Sequence, residues 1–163
     1  MSGPEVWLRG PLPGYLDELQ PVAHSLLQVR EEIARAASLS SAVLWARPGG
    51  AASIGFHLKH LAGSLDRLLT YAAEKQLNAA QRDMLAREAE ESGDAAALVQ
   101  AAQAAIDRAL ATVRTTALCT LDDAREVGRD RLPSTVLGLL FHAAEHAQRH
   151  SAQIITTAKI IGA

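Results

Sequence analysis

Residues His142–His150 read HAAEHAQRH, with a histidine at every fourth position: His142, His146 and His150. Alanine forms helix more readily than histidine, so propensity does not explain the repeat. On an α-helix a step of four residues advances ~400°, so each histidine lies ~40° around from the one before and the three share a stripe. Leu139, Ala143, Ala147, Ile154 and Thr157 continue nearly the same face, while Glu145, Gln148, Arg149 and Lys159 fall elsewhere. The pattern predicts that the histidines point largely inward from a long last helix, residues 135–161, capped by Ser134.

Working backwards, Asp94 opens an alanine-rich segment, residues 95–117, that reads as another long helix. Ser53 is placed to cap a helix over residues 54–75, and Leu16 to Ala37 carries helical spacing through Leu19, Val22, Leu26, Leu27, Val29 and Ile33. Residues 1–14, with three prolines and three glycines, read as an irregular lead-in. RPGGAAS, residues 47–53, breaks the pattern, and DDAREVGRDRLPS, residues 122–134, reads as a charged loop. The polar stretch 76–94 reads as a connection holding one short helix. Four long amphipathic helices with a short extra helix between the second and third predict an all-α four-helix bundle, one domain over residues 1–163. The length of that connection permits a crossover, so simple up-down-up-down order does not follow.

Composition agrees with helices. Apolar residues make up 48% of the 163 and aromatics only 4%, fewer than a sheet would favour. Sixteen basic residues balance eighteen acidic ones, which gives no electrostatic reason to expect nucleic acid or an anionic membrane as partner. No apolar run approaches the ~18–20 residues of a membrane helix. The N-terminal stretch lacks a signal-peptide core, and Cys119, the single cysteine, excludes an intrachain disulfide. A cytoplasmic protein is expected.

Three imidazoles on an apolar face need hydrogen-bond partners or must stay uncharged, and a divalent metal satisfies both demands by taking the lone pair of each neutral ring. Histidines at i and i+4 reach one ion, and neighbouring helix axes ~8–10 Å apart let a histidine on the second long helix join them. His60 and, one turn earlier, His57 are the two candidates there.

The segments SIGFHLKHLAGSLDRLL and HAAEHAQRHSAQI together resemble the DinB/YfiT superfamily of metal-binding four-helix bundles, over Leu16 to Ile161. That family shows a histidine about seven residues after the second helix's cap, then H-x-x-x-H-x-G-Q in the last helix. Ser53 to His60 matches the first spacing, and His146, His150 and Gln153 match the second, with Ala152 where the family has glycine. The resemblance implies a metal triad of His60, His146 and His150, a homodimer, and a metal-dependent hydrolase or low-molecular-weight-thiol transferase acting on a small molecule.

The remaining candidates carry lesser expectations. His142, His57 and Gln153 are expected beside the pocket or behind the ligands, and His24 as a partly buried side chain. Glu145 reads as a solvated or interface residue, Asp66 with Arg67 as a surface or interface pair, and Cys119 as apolar filler. Three neutral histidines leave an open position on zinc, nickel or iron(II), whose bound water can reach a pKa near ~7 or which can hold a thiol as thiolate. No second carboxylate stands out as a general base, which weakens the hydrolase reading. The alternative is a non-catalytic metal-binding, stress-response bundle.

Overall fold

The computed structural model describes residues 3–162. Its helices are α1 (Gln20–Ile33), α2 (Ser41–Leu44), α3 (Ile54–Ala72), α4 (Ala79–Ala86), α5 (Ala95–Thr115) and α6 (Val136–Ile160), with strands β1 (Ala124–Val127) and β2 (Leu132–Thr135) between the last two. The fold is therefore mostly helical, and the four long helices α1, α3, α5 and α6 share one core. Leu26, Ile33, Leu58, Leu61, Ile106 and Leu140 lie at its centre, each at most 1% exposed.

Caps set where the helices begin. Ser53 Oγ accepts from Phe56 N, and Asp94 Oδ1 accepts from Ala97 N, both as the sequence predicts. The short α4 carries a full capping box, in which Asn78 and Gln81 exchange side-chain-to-backbone hydrogen bonds.

Several expectations are corrected. The first long helix is shorter than Leu16–Ala37, because tight 3₁₀ turns at Asp17–Leu19 and Ala34–Ser38 bracket α1. The charged stretch 122–134 is not simply a loop: β1 and β2 form an antiparallel hairpin that pairs Arg125 with Ser134. Ser134 thus belongs to a strand, and the next residue, Thr135, caps α6 by accepting from Gly138 N. In the lead-in, residues 1 and 2 lie outside the described residues, but Val6 is buried and Arg9 pairs with Glu31 of α1. Cys119 is exposed in a short turn rather than packed as filler.

Side-chain pairings give the helix directions. His57 meets His150 while His60 meets His146, so α3 and α6 are antiparallel. Ser25 pairs with Gln148 and Glu32 with Ser151, so α1 and α6 are parallel. Tyr15, just before α1, meets Arg114, and Arg30 meets Asp107, so α1 and α5 are antiparallel. Hence α3 and α5, which pack together, run the same way, and the connection through α4 must return along the molecule. Each of α1 and α3 packs on both α5 and α6. The α3–α6 seam is where the histidines meet.

Candidate metal centre

Ser53 starts α3 so that His57 and His60 fall on the side turned to α6, beside the core positions Leu58 and Leu61. On α6 His146 and His150 stand one turn apart, beside the buried Ala143 and Ala147. His146 Nε2 lies 3.0 Å from His60 Nε2 and 3.2 Å from His150 Nε2. One nitrogen from each of the three rings falls within 4.8 Å of the others. Two imidazole nitrogens held ~2.0–2.1 Å from one ion at the tetrahedral angle stand about 3.3 Å apart. The donor set fits a divalent transition metal.

The chemistry of the rings fits too. Burial, followed by the neighbouring His60, holds His146 down at about 4 and His150 at about 3, and the same two causes lower His57. Neutral rings keep a lone pair for a metal. His146 Nδ1 is buried with no hydrogen-bond partner among the described residues, so no protein contact assigns this ring's proton.

Behind the triad, His57 Nδ1 lies 2.8 Å from His150 Nδ1, on the far side of the His150 ring from His146. His57 therefore stands behind a metal-facing histidine, and it is 7% exposed. Phe56 lies nearly parallel to the His60 imidazole, with centroids 5.5 Å apart, and meets His57 edge-on.

A carboxylate unread in the sequence completes the surroundings. Glu88, just after α4, accepts from His60 Nδ1 at 2.7 Å through Oε2 and from Arg67 Nη1 at 2.6 Å through Oε1. Burial disfavours ionising this carboxyl, but the bonds from His60 and Arg67 together outweigh it and hold the group below the usual carboxylate range. Arg67 is accordingly buried and does not form a surface pair with Asp66, which instead accepts from Gln81 of α4. One signal in the sequence is Gly63, an unfavourable residue in mid-helix that usually has a packing reason.

Other candidates sit elsewhere. His142 does not point inward: it is exposed and bonds Glu145 at 2.7 Å, which Arg149 also reaches at 2.6 Å. The cause is the ~40° drift per step, which accumulates to ~80° between His142 and His150 and carries the first ring off the stripe. Its ring nonetheless stays 5.3 Å from that of His146, centroid to centroid. Gln153 is exposed and does not line the seam. His24 contacts Gly10 O on the α1 side, in a surface cavity shared with Glu5, Trp7 and Gln148. No described helix is long and apolar enough to cross a membrane.

Among curated proteins none matches this sequence. The family model of the DinB superfamily does match, over residues 25–154. That span runs from within α1 to beyond His150 and takes in all three histidines of the cluster, so the chain belongs to the DinB superfamily.

Proposed function

We propose that this chain is a metal-dependent enzyme, built as a four-helix bundle with α4 and the β-hairpin inserted. In this reading His60, His146 and His150 hold a divalent zinc, nickel or iron ion. The convergence of three imidazole nitrogens on the α3–α6 seam carries the proposal. Such an ion supplies a Lewis acid with an open position, which acidifies a water or thiol that binds there.

Between the two activities open to such a centre, the surroundings favour transfer of a small thiol to an electrophile over hydrolysis. Hydrolysis ordinarily calls on a free general base within hydrogen-bond reach of the attacking water. Both carboxylates near the histidines are engaged: Glu88 by Arg67 and His60, and Glu145 by Arg149 and His142. A thiol bound as thiolate asks less of the protein, because the thiolate is already the nucleophile. The chain's own part is then to hold three neutral rings in place and to shield one face of His60 with Phe56. Exposed Phe141 on α6 supports the further reading that a second copy of the chain covers this helix.

Metal analysis of protein purified without chelators tests the first step, and one ion per chain is expected. Incubation with small thiols plus an electrophile, beside generic esters and amides, tests the second. Thiol-dependent turnover that disappears in His60→Ala supports the proposal. Stoichiometric metal without turnover on either panel would leave the non-catalytic binder as the better reading, and no metal at all would overturn the centre.

A further inference from the structure

We propose that Glu88 is the positioning residue of this centre: held by Arg67, it keeps the His60 proton on Nδ1 and leaves His60 Nε2 with the lone pair that faces His146 and His150. The inference rests on the metal reading above and adds a residue from a different part of the chain. Glu88 lies 28 positions beyond His60, on the connection between α4 and α5.

Three observations carry it. The first is the contact itself: the carboxylate is 5% exposed and divides its two oxygens between His60 Nδ1 and Arg67 Nη1. A guanidinium has no acceptor and stays charged, so it holds its partner as a carboxylate, which can only accept. His60 must therefore donate from Nδ1, and in the singly protonated ring the lone pair is left on Nε2.

The second is that the segment is fastened to α3 on both sides of Glu88. Lys59 Nζ donates to Arg87 O at 2.8 Å, Glu90 O at 2.7 Å and Ser92 Oγ at 3.2 Å, which uses all three of its protons. Gly63 leaves the room: a Cβ there would stand 2.6 Å from Glu88 Oε1. One face of α3 thus presents Lys59, His60, Gly63 and Arg67 to a single short stretch of chain.

The third is the contrast among the ligands. His150 has only a neutral imidazole, His57, at its Nδ1, and His146 Nδ1 has no partner among the described residues. Glu88 is the charged acceptor behind the triad, so His60 is the ring whose orientation is set most firmly. Carboxylate–histidine pairs of this kind fix the tautomer and raise the basicity of a metal-ligating imidazole.

Glu88→Gln tests the assignment with almost no change of shape. If the amide oxygen keeps Arg67, the amide nitrogen must donate to His60 Nδ1, and the proton moves to Nε2, where it blocks the metal. Zinc alone is the probe, titrated against a competing chelator. The expected loss of zinc affinity is about 10- to 100-fold, and the ¹⁵N shifts of His60 in the metal-free protein should change from the Nδ1–H to the Nε2–H pattern. A folded Glu88→Gln protein that binds zinc within twofold of the original would overturn the assignment. The unsubstituted protein gives an independent measurement should the variant fail to fold: its metal-free His60 must show the Nδ1–H pattern, and an Nε2–H pattern there overturns the assignment as well. Failure of the unsubstituted protein to bind zinc at all strikes the metal reading instead, so the two failures are distinguishable.

Discussion

Replacing Gly63 with alanine sets two effects of opposite sign against each other. In an open helix the change stabilises by about 0.5–1 kcal/mol, because glycine loses more backbone freedom on folding. At position 63 the added Cβ would stand 2.6 Å from Glu88 Oε1 and 2.7 Å from Arg67 Nη1, where ordinary contact begins at 3.4 Å. Both side chains are buried, and the two atoms are themselves only 2.6 Å apart. Neither can retreat without loosening the Glu88–Arg67 bond or the Glu88–His60 bond. A hydrogen bond to a charged group contributes about 1.5–3 kcal/mol, more than the helix gains. Gly63→Ala should therefore destabilise the metal-free protein by about 1–2 kcal/mol, a fall in Tm of roughly 2–8 °C for a chain of this length. Thermal unfolding followed by circular dichroism measures it. The sign should reverse in a Glu88→Ala background, where Oε1 is gone and the Arg67 guanidinium, released from its partner, can swing away from the new Cβ, leaving the helical preference for alanine. The two substitutions should then be non-additive by more than about 1 kcal/mol. A rise in Tm for Gly63→Ala alone, or simple additivity, would refute the packing argument.

Acid should weaken the metal-free protein over a definite window. His146 at about 4 and His150 at about 3 lie below the 6.5 of a free imidazole, chiefly through burial. As pH falls the unfolded chain therefore takes up protons first, so stability is fully present above about pH 6.5 and is lost progressively towards pH 4 and 3. A Tm that stays flat from pH 7 to 4 would show that these rings are not shielded as described; protons should compete with zinc for His146 and His150 in the folded protein only lower, near pH 4 and 3, since each ligand ring must be unprotonated. Ser53→Ala removes the hydroxyl that accepts from Phe56 N at the start of α3, at a fully buried position. The expected cost is about 1–2 kcal/mol, read from the midpoint of a urea titration, with zinc affinity nearly unchanged once the protein is folded.

What the sequence discloses follows from the range of the interactions involved. Ser53 and Asp94 are legible because a cap and the amide it accepts from lie three residues apart. The pairing of His146 with His150 is legible for the same reason, since one turn of helix relates them. His142 is misread because its neighbours set the ~40° drift against a core boundary that one helix alone does not define. The hairpin is hidden because its strands have four residues each, too few for a period of two to declare itself among Arg125, Glu126 and Pro133. Ser134 and Thr135 are both good caps and both lie in β2; what decides for Thr135 is that α6 begins at Val136, where Thr135 Oγ1 accepts from Gly138 N.

Glu88 is the hardest case, and the reason is instructive. It shares its stretch of chain with Glu90 and Glu91, and all three are carboxylates on a polar connection with no period. What separates them is burial: Glu88 is inside, whereas Glu90 and Glu91 are exposed. Nothing in that stretch encodes the difference, because α3 imposes it from the other side. His60, Gly63 and Arg67 stand three and four residues apart, one above another on a single helical face. That face offers an imidazole proton, a gap where a side chain would be, and a fixed positive charge. An arginine in an interior position demands a partner, and a mid-helix glycine one turn before it offers room for one. The carboxylate is thus foreshadowed by the face that receives it rather than by the segment that supplies it.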